Sequence, residues 1–76
     1  MVIGVTMINV VPGQDKAAYS ELCSLEGIKE VYHVFGEYDF VAVIEVKGLS
    51  ALNALVAQIR ENKSVTVTKT VVGAEL

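Results

Sequence analysis

Apolar and polar positions along this chain recur with two periods, and the changes of period divide it into six segments. Val2–Val11 is rich in Val and Ile with few breaks, the pattern of a β-strand. Pro12-Gly13 ends it, because Pro cannot donate to a ladder and Gly permits a change of direction. In Gln14–Leu25 the apolar residues Ala18, Leu22 and Leu25 fall at spacings of four and three, one face of a helix. Gly27 is placed like a residue that follows a helix C-terminus. Ile28–Phe35 alternates again, with Val31, His33 and Phe35 on one side and Tyr32 and Val34 on the other.

After Gly36-Glu37-Tyr38-Asp39, read as a hairpin turn, Phe40–Val46 is apolar on both faces until Glu45, as a doubly covered central strand would be. Lys47-Gly48 closes it. The clearest helical pattern follows in Leu49–Glu61, where Leu52, Leu55, Val56 and Ile59 fit the i, i+3, i+4, i+7 template. Ser64–Val72 then alternates strictly, with Val65, Val67, Lys69 and Val71 opposed to Thr66, Thr68, Thr70 and Val72. The order is β-α-β-β-α-β. Right-handed crossovers around a central hairpin give a ferredoxin-like α+β fold, a four-stranded antiparallel sheet with two helices on one face.

That arrangement leaves the second face of an apolar sheet uncovered, and the composition sharpens the point. Of 76 residues, enough for one domain, 53 % are hydrophobic, more than so small a core can hide. The longest apolar run, Phe40–Ile44, is far short of the roughly 20 residues of a membrane span. A subunit interface is the remaining outlet, and a two-fold dimer with sheets facing is the simplest closed form. The net charge is −3 and the six basic residues are scattered singly, so no basic patch marks a nucleic-acid partner. One cysteine, Cys23, excludes an internal disulfide and a multi-cysteine metal site, and its neighbours Leu22 and Leu25 suggest partial burial. No secretory leader is apparent, which points to the cytoplasm. Neither a phosphate-binding Gly-rich loop nor metal-ligand spacing occurs, and no cofactor is expected.

The candidate chemistry centres on the turn. A Gly-containing turn can hold a carboxylate in a nest of N–H groups, the part suited to Gly36, whose bland alternative is a positive φ for the hairpin. Asp39 suits an ammonium through a charge-assisted hydrogen bond, or else caps local amides. Tyr38 offers a ring and a hydroxyl, or an interface aromatic. The hydroxyls of Thr68 and Thr70 share a face with Thr66, although Thr is also common in half-exposed strands for its β-propensity alone. His33 is the one histidine, read as a core or interface imidazole in preference to a catalytic base.

Two blocks carry a family resemblance: Val31-Tyr32-His33-Val34-Phe35-Gly36-Glu37-Tyr38-Asp39-Phe40, with its Gly-x-Tyr-Asp turn, and Val67-Thr68-Lys69-Thr70-Val71-Val72, with its Thr-x-Thr pattern. In this topology the chain resembles the effector-binding (RAM) domain of the Lrp/AsnC regulators over nearly its whole length. Family regulators carry an N-terminal helix-turn-helix domain, whereas here Met1 opens onto the first strand, so the chain looks like a stand-alone form or an excised domain. The resemblance implies a non-enzymatic module of transcription regulation that binds an amino acid at Gly36, Tyr38, Asp39, Thr68 and Thr70. It implies dimers that assemble into rings, with full-length regulators as further partners, and no direct contact with nucleic acid or membrane. The alternatives are a small dimeric α+β barrel enzyme, of monooxygenase or isomerase type, and a purely structural assembly partner, since fold does not fix function.

Overall fold

A computed structural model describes residues 1–73. Its elements are β1 (Val2–Val10), α1 (Asp15–Ser24), β2 (Ile28–His33), β3 (Phe40–Val46), α2 (Leu49–Glu61) and β4 (Val65–Val72). The strands form one antiparallel sheet in the order β2-β3-β1-β4. This is the ferredoxin-like arrangement expected from the segment order. β1 and β3 are the central strands, and β2 and β4 are the edges.

Alternation decides which side of each central strand is buried. Ile8 and Val10 of β1 and Phe40, Ala42 and Ile44 of β3 turn to the helices and make the core with Ala18 and Leu22 of α1 and Leu52, Leu55 and Ile59 of α2. The helix-period residues are thus the ones buried, except Val56 of α2 and Leu25 just past the end of α1, which pack half-buried against the core. Between α1 and β2 the chain turns at Gly27, whose φ is +99°. The positive φ favours glycine, and a Cβ there would also press on Leu55 Cδ2 and Val46 Cγ1 at 3.0 Å.

Among the described residues no helix covers the opposite face of the sheet. Across it, Val5 lies between Val43 and Val71, and Met7 between Val41 and Lys69. Ile3, Val67 and Val71 on the same face are each at least half exposed. Among the described residues no helix is long and apolar enough to cross a membrane.

Four local expectations need correction. First, β2 stops at His33 rather than Phe35, and Phe35 is 99 % exposed. The connection to β3 is therefore a six-residue loop, closed by a bond from Val34 N to Asp39 O, and wider than a tight turn. Second, β4 does not alternate strictly. Its pairing with β1 shifts between Asn9 and Val10, so Val65 packs on the core while Val67 lies on the open face. Such a bulge inserts a residue and resets the two-residue period. Third, Thr66 falls in that shift and does not continue the row of Thr68 and Thr70. Fourth, Cys23 is exposed, one position round the helix from the buried Leu22.

Candidate functional site

The loop between β2 and β3 holds three of the five candidate residues. Gly36 has φ +135°, a conformation open to glycine alone, and a Cβ there would meet nothing within 4 Å. It is needed for backbone shape, and the free space above it leaves the loop open to an approaching molecule. Tyr38 and Asp39 are half-buried at the start of β3.

Asp39 is the most connected residue of the loop. Its Oδ2 accepts the backbone N–H of Val10 at 2.9 Å. Its own N–H donates to Ile8 O at 3.0 Å and to the side-chain Oδ1 of Asn9 at 3.2 Å. The carboxylate thus replaces a strand partner for Val10 at the point where the β1–β4 register shifts. A carboxylate offers about four lone-pair sites, so one such bond leaves capacity for an ammonium group. Asn9 was no part of the sequence reading. Its signal was a polar residue on the otherwise apolar open face of β1, beyond Ile3, Val5 and Met7.

Thr68 and Thr70 lie on the other side of the sheet from the open face. They pair with Ile8 and Thr6, whose side chains turn to the helices. Thr70 Oγ1 and Thr6 Oγ1 are 3.0 Å apart and share a hydrogen bond, which satisfies the fully buried Thr6. Thr68 Oγ1 accepts a bond from Arg60 Nε of α2 at 3.1 Å. Thr6 and Arg60 were likewise missed, because each lies on a different element from its partner.

Within one protomer these groups do not converge. β1 lies between the Asp39 loop, which bonds to Ile8 and Val10, and β4, a separation of about 10 Å at two strand spacings. The sequence-predicted set therefore consists of two halves, a loop half (Gly36, Tyr38, Asp39) and a strand half (Thr68, Thr70).

His33 sits elsewhere, on the helix side of β2. Its ring stacks on Phe40 with centroids 4.8 Å apart and an interplanar angle of 24°. Its Nε2 is 3.3 Å from Asp15 Oδ2 at the start of α1. Both residues line an open cleft of about 590 Å3 with Lys16, Tyr19 and Val31. The imidazole is half-exposed and lies at the rim of a surface cleft rather than in a deep pocket. On β2, the Tyr32 hydroxyl donates to the Glu30 carboxylate. That bond, then the negative charge of Glu30, then slight burial hold the phenol above its usual value of 10.0. No group of three or more metal-ligating side chains occurs among the described residues.

Comparison with known proteins follows the same lines. The Thermus thermophilus protein TTHA0845 is 27 % identical, with a TM-score of 0.94, over 100 % of this chain and 96 % of its own. Escherichia coli AsnC shares the fold at 21 % identity and a TM-score of 0.89, and this chain spans 52 % of its length. The transcriptional regulator NMB0573 from Neisseria meningitidis, solved as a complex with L-Met, shares it at 8 % identity and a TM-score of 0.83 over 50 % of its length. A comparison with curated protein sequences returned no match. The family model of the Lrp/AsnC ligand binding domain matches residues 3–74, and the chain belongs to that family.

Proposed function

We propose that the domain is an amino-acid effector-binding and assembly module of transcription regulation, with no catalytic role and without DNA-reading machinery in these 76 residues. The observation that carries this reading is the loop half of the site. There an obligatory glycine, an aromatic residue and a carboxylate with unused lone pairs meet at the end of an uncovered apolar sheet. The family and the L-Met complex of the Neisseria regulator support an amino acid as ligand.

In this reading two protomers join through the open faces around Val5, Met7 and Val43, and such dimers associate into rings. Asp39 takes the ammonium group, the loop amides at Gly36 take the carboxylate, and Tyr38 walls the side chain. Thr68 and Thr70 come from a neighbouring copy, since β1 lies between the halves in each protomer and the two hydroxyls are already engaged on the helix side of the sheet. A ligand held at such a seam shifts assembly only by its differential affinity for the two states. Full-length regulators of the family are the macromolecular partners.

Thermal-shift or calorimetric titration with the twenty amino acids tests this, comparing the native chain with Asp39→Asn. At least one amino acid raises the melting temperature of the native chain and not of the variant. Silence from all of them, with the loop folded, overturns the ligand assignment.

A further inference from the structure

Phe35 is 99 % exposed, more than any other large apolar residue described, and the reading above gives it no part. It is the first residue beyond the last β2–β3 bond, Val34 N to Asp39 O. Its ring centroid stands 6.0 Å from that of His33, which lines a cleft with Asp15, Lys16, Tyr19, Tyr32 and Phe40. Three rings meet along that cleft, His33 stacked on the buried Phe40 and Tyr19 6.1 Å from Phe40 at 33°. Rings prefer such offset and tilted neighbours at about 4.5–7 Å, so the walls suit one more ring. A cleft of about 590 Å3 has room for it.

We infer that Phe35 of one copy seats in this cleft of a second copy, and the second copy's Phe35 in the cleft of the first. Ring and cleft adjoin on one surface, so a single two-fold axis beside them exchanges both rings at once. That is a closed, isologous contact. The strand between them supports the same axis. β2 is an edge, and the Val34–Asp39 bond places Tyr32 in the bonded register with β3. Bonded and non-bonded positions alternate, so the backbone N–H and C=O of Val31 and His33 point outward. Two β2 edges brought together by the axis offer each other unpaired groups.

The size of the contact fixes its place in the assembly. Two rings and two cleft walls bury on the order of 800 Å2, at about 200 Å2 for each aromatic surface. That is below the roughly 1,200 Å2 of a self-standing complex. The contact therefore acts between dimers already joined through the open sheet faces, and in this it rests on the assembly proposed above. Two different two-fold contacts, used alternately, build a ring when their axes intersect at an angle that closes.

The test uses the full chain, which contains no tryptophan, and the variants Phe35→Ala and Phe35→Trp. In sedimentation across micromolar concentrations the native chain passes beyond two copies, and Phe35→Ala stops at two with unchanged circular dichroism. The emission of Phe35→Trp is blue-shifted in the assembly and moves to the solvent-exposed position on dilution. Three results overturn the inference: Phe35→Ala assembling like the native chain, Trp emission solvent-like at every concentration, or emission blue-shifted in the dilute monomer, which would place the ring in its own cleft. The sheet-face variant Val5→Lys separates this contact from the dimer. Its loss of the two-copy species shows the sheet contact, and its failure to change that species removes the sheet reading alone.

Discussion

The Asp39 carboxylate accepts the backbone N–H of Val10 at 2.9 Å, a bond between residues 29 positions apart. It makes Asp39 a structural residue before any ligand arrives, and it separates two effects that one substitution would mix. Asp39→Ala leaves the partly buried Val10 amide without its acceptor, at a cost of about 1–3 kcal/mol. A domain of this size then melts roughly 4–8 °C lower for each kcal/mol lost. Asp39→Asn keeps an acceptor oxygen, so its loss is the smaller of the two, but it lacks the charge an ammonium needs. Paired thermal melts, with and without amino acids, check both outcomes.

Thr6 and Thr70 allow a cleaner measurement. Thr6 is fully buried and its hydroxyl faces that of Thr70 at 3.0 Å. Thr70→Val strands the Thr6 hydroxyl and costs about 1–3 kcal/mol, whereas the double replacement Thr6→Val with Thr70→Val is close to neutral. Urea denaturation of the four proteins in a double-mutant cycle reads the coupling directly. Equal and additive losses would show that the pair is not formed.

Gly36 adopts a φ of +135° with open space where a Cβ would be. Gly36→Ala therefore acts through backbone strain without collision, at about 1–3 kcal/mol. In an exposed loop part of that cost is relieved by rearrangement. The expected result is a modest loss of melting temperature with a complete loss of ligand response.

The open face supplies a test independent of the loop. Val5 is flanked by Val43 and Val71, in the middle of the uncovered apolar surface. Val5→Lys places a charge where two faces would close, and the sedimentation coefficient falls to that of a monomer while secondary structure is retained. An unchanged coefficient would mean that the copies meet elsewhere.

Tyr32 gives a pH signature. Its hydrogen bond to Glu30 holds the phenol above 10.0, because the bond needs the proton that ionisation removes. A folded-state value raised above the unfolded one means that this contribution is present in full below about pH 10. It is lost as pH rises through the folded value. Glu30→Gln brings the tyrosinate absorbance titration of Tyr32 down towards that of an ordinary tyrosine.

Much of the architecture was legible in order and period. The spacing of Leu52, Leu55 and Ile59 named the buried face of α2, and the double apolarity of Phe40–Val46 marked β3 as central. Local patterns suffice there because each residue's face follows from its neighbours on the same element. The same logic read β2 too far and β4 too regularly. Nothing in the residues 28–35 says that pairing with β3 ends at His33, and nothing in 64–72 shows the bulge opposite Asn9 and Val10.

The candidate site divides in the same way. The turn was found by its residue types, since a glycine at positive φ, an aromatic residue and a carboxylate have a chemistry that the sequence displays. What each candidate touches was beyond its reach. Asp39 meets Val10 and Asn9, Thr70 meets Thr6 and Thr68 meets Arg60, all through the order in which strands and helices pack. Residue type and period are local properties, fixed once the chain is written. Partners, exposed rings and uncovered faces arise only when segments far apart in the chain are brought to one surface.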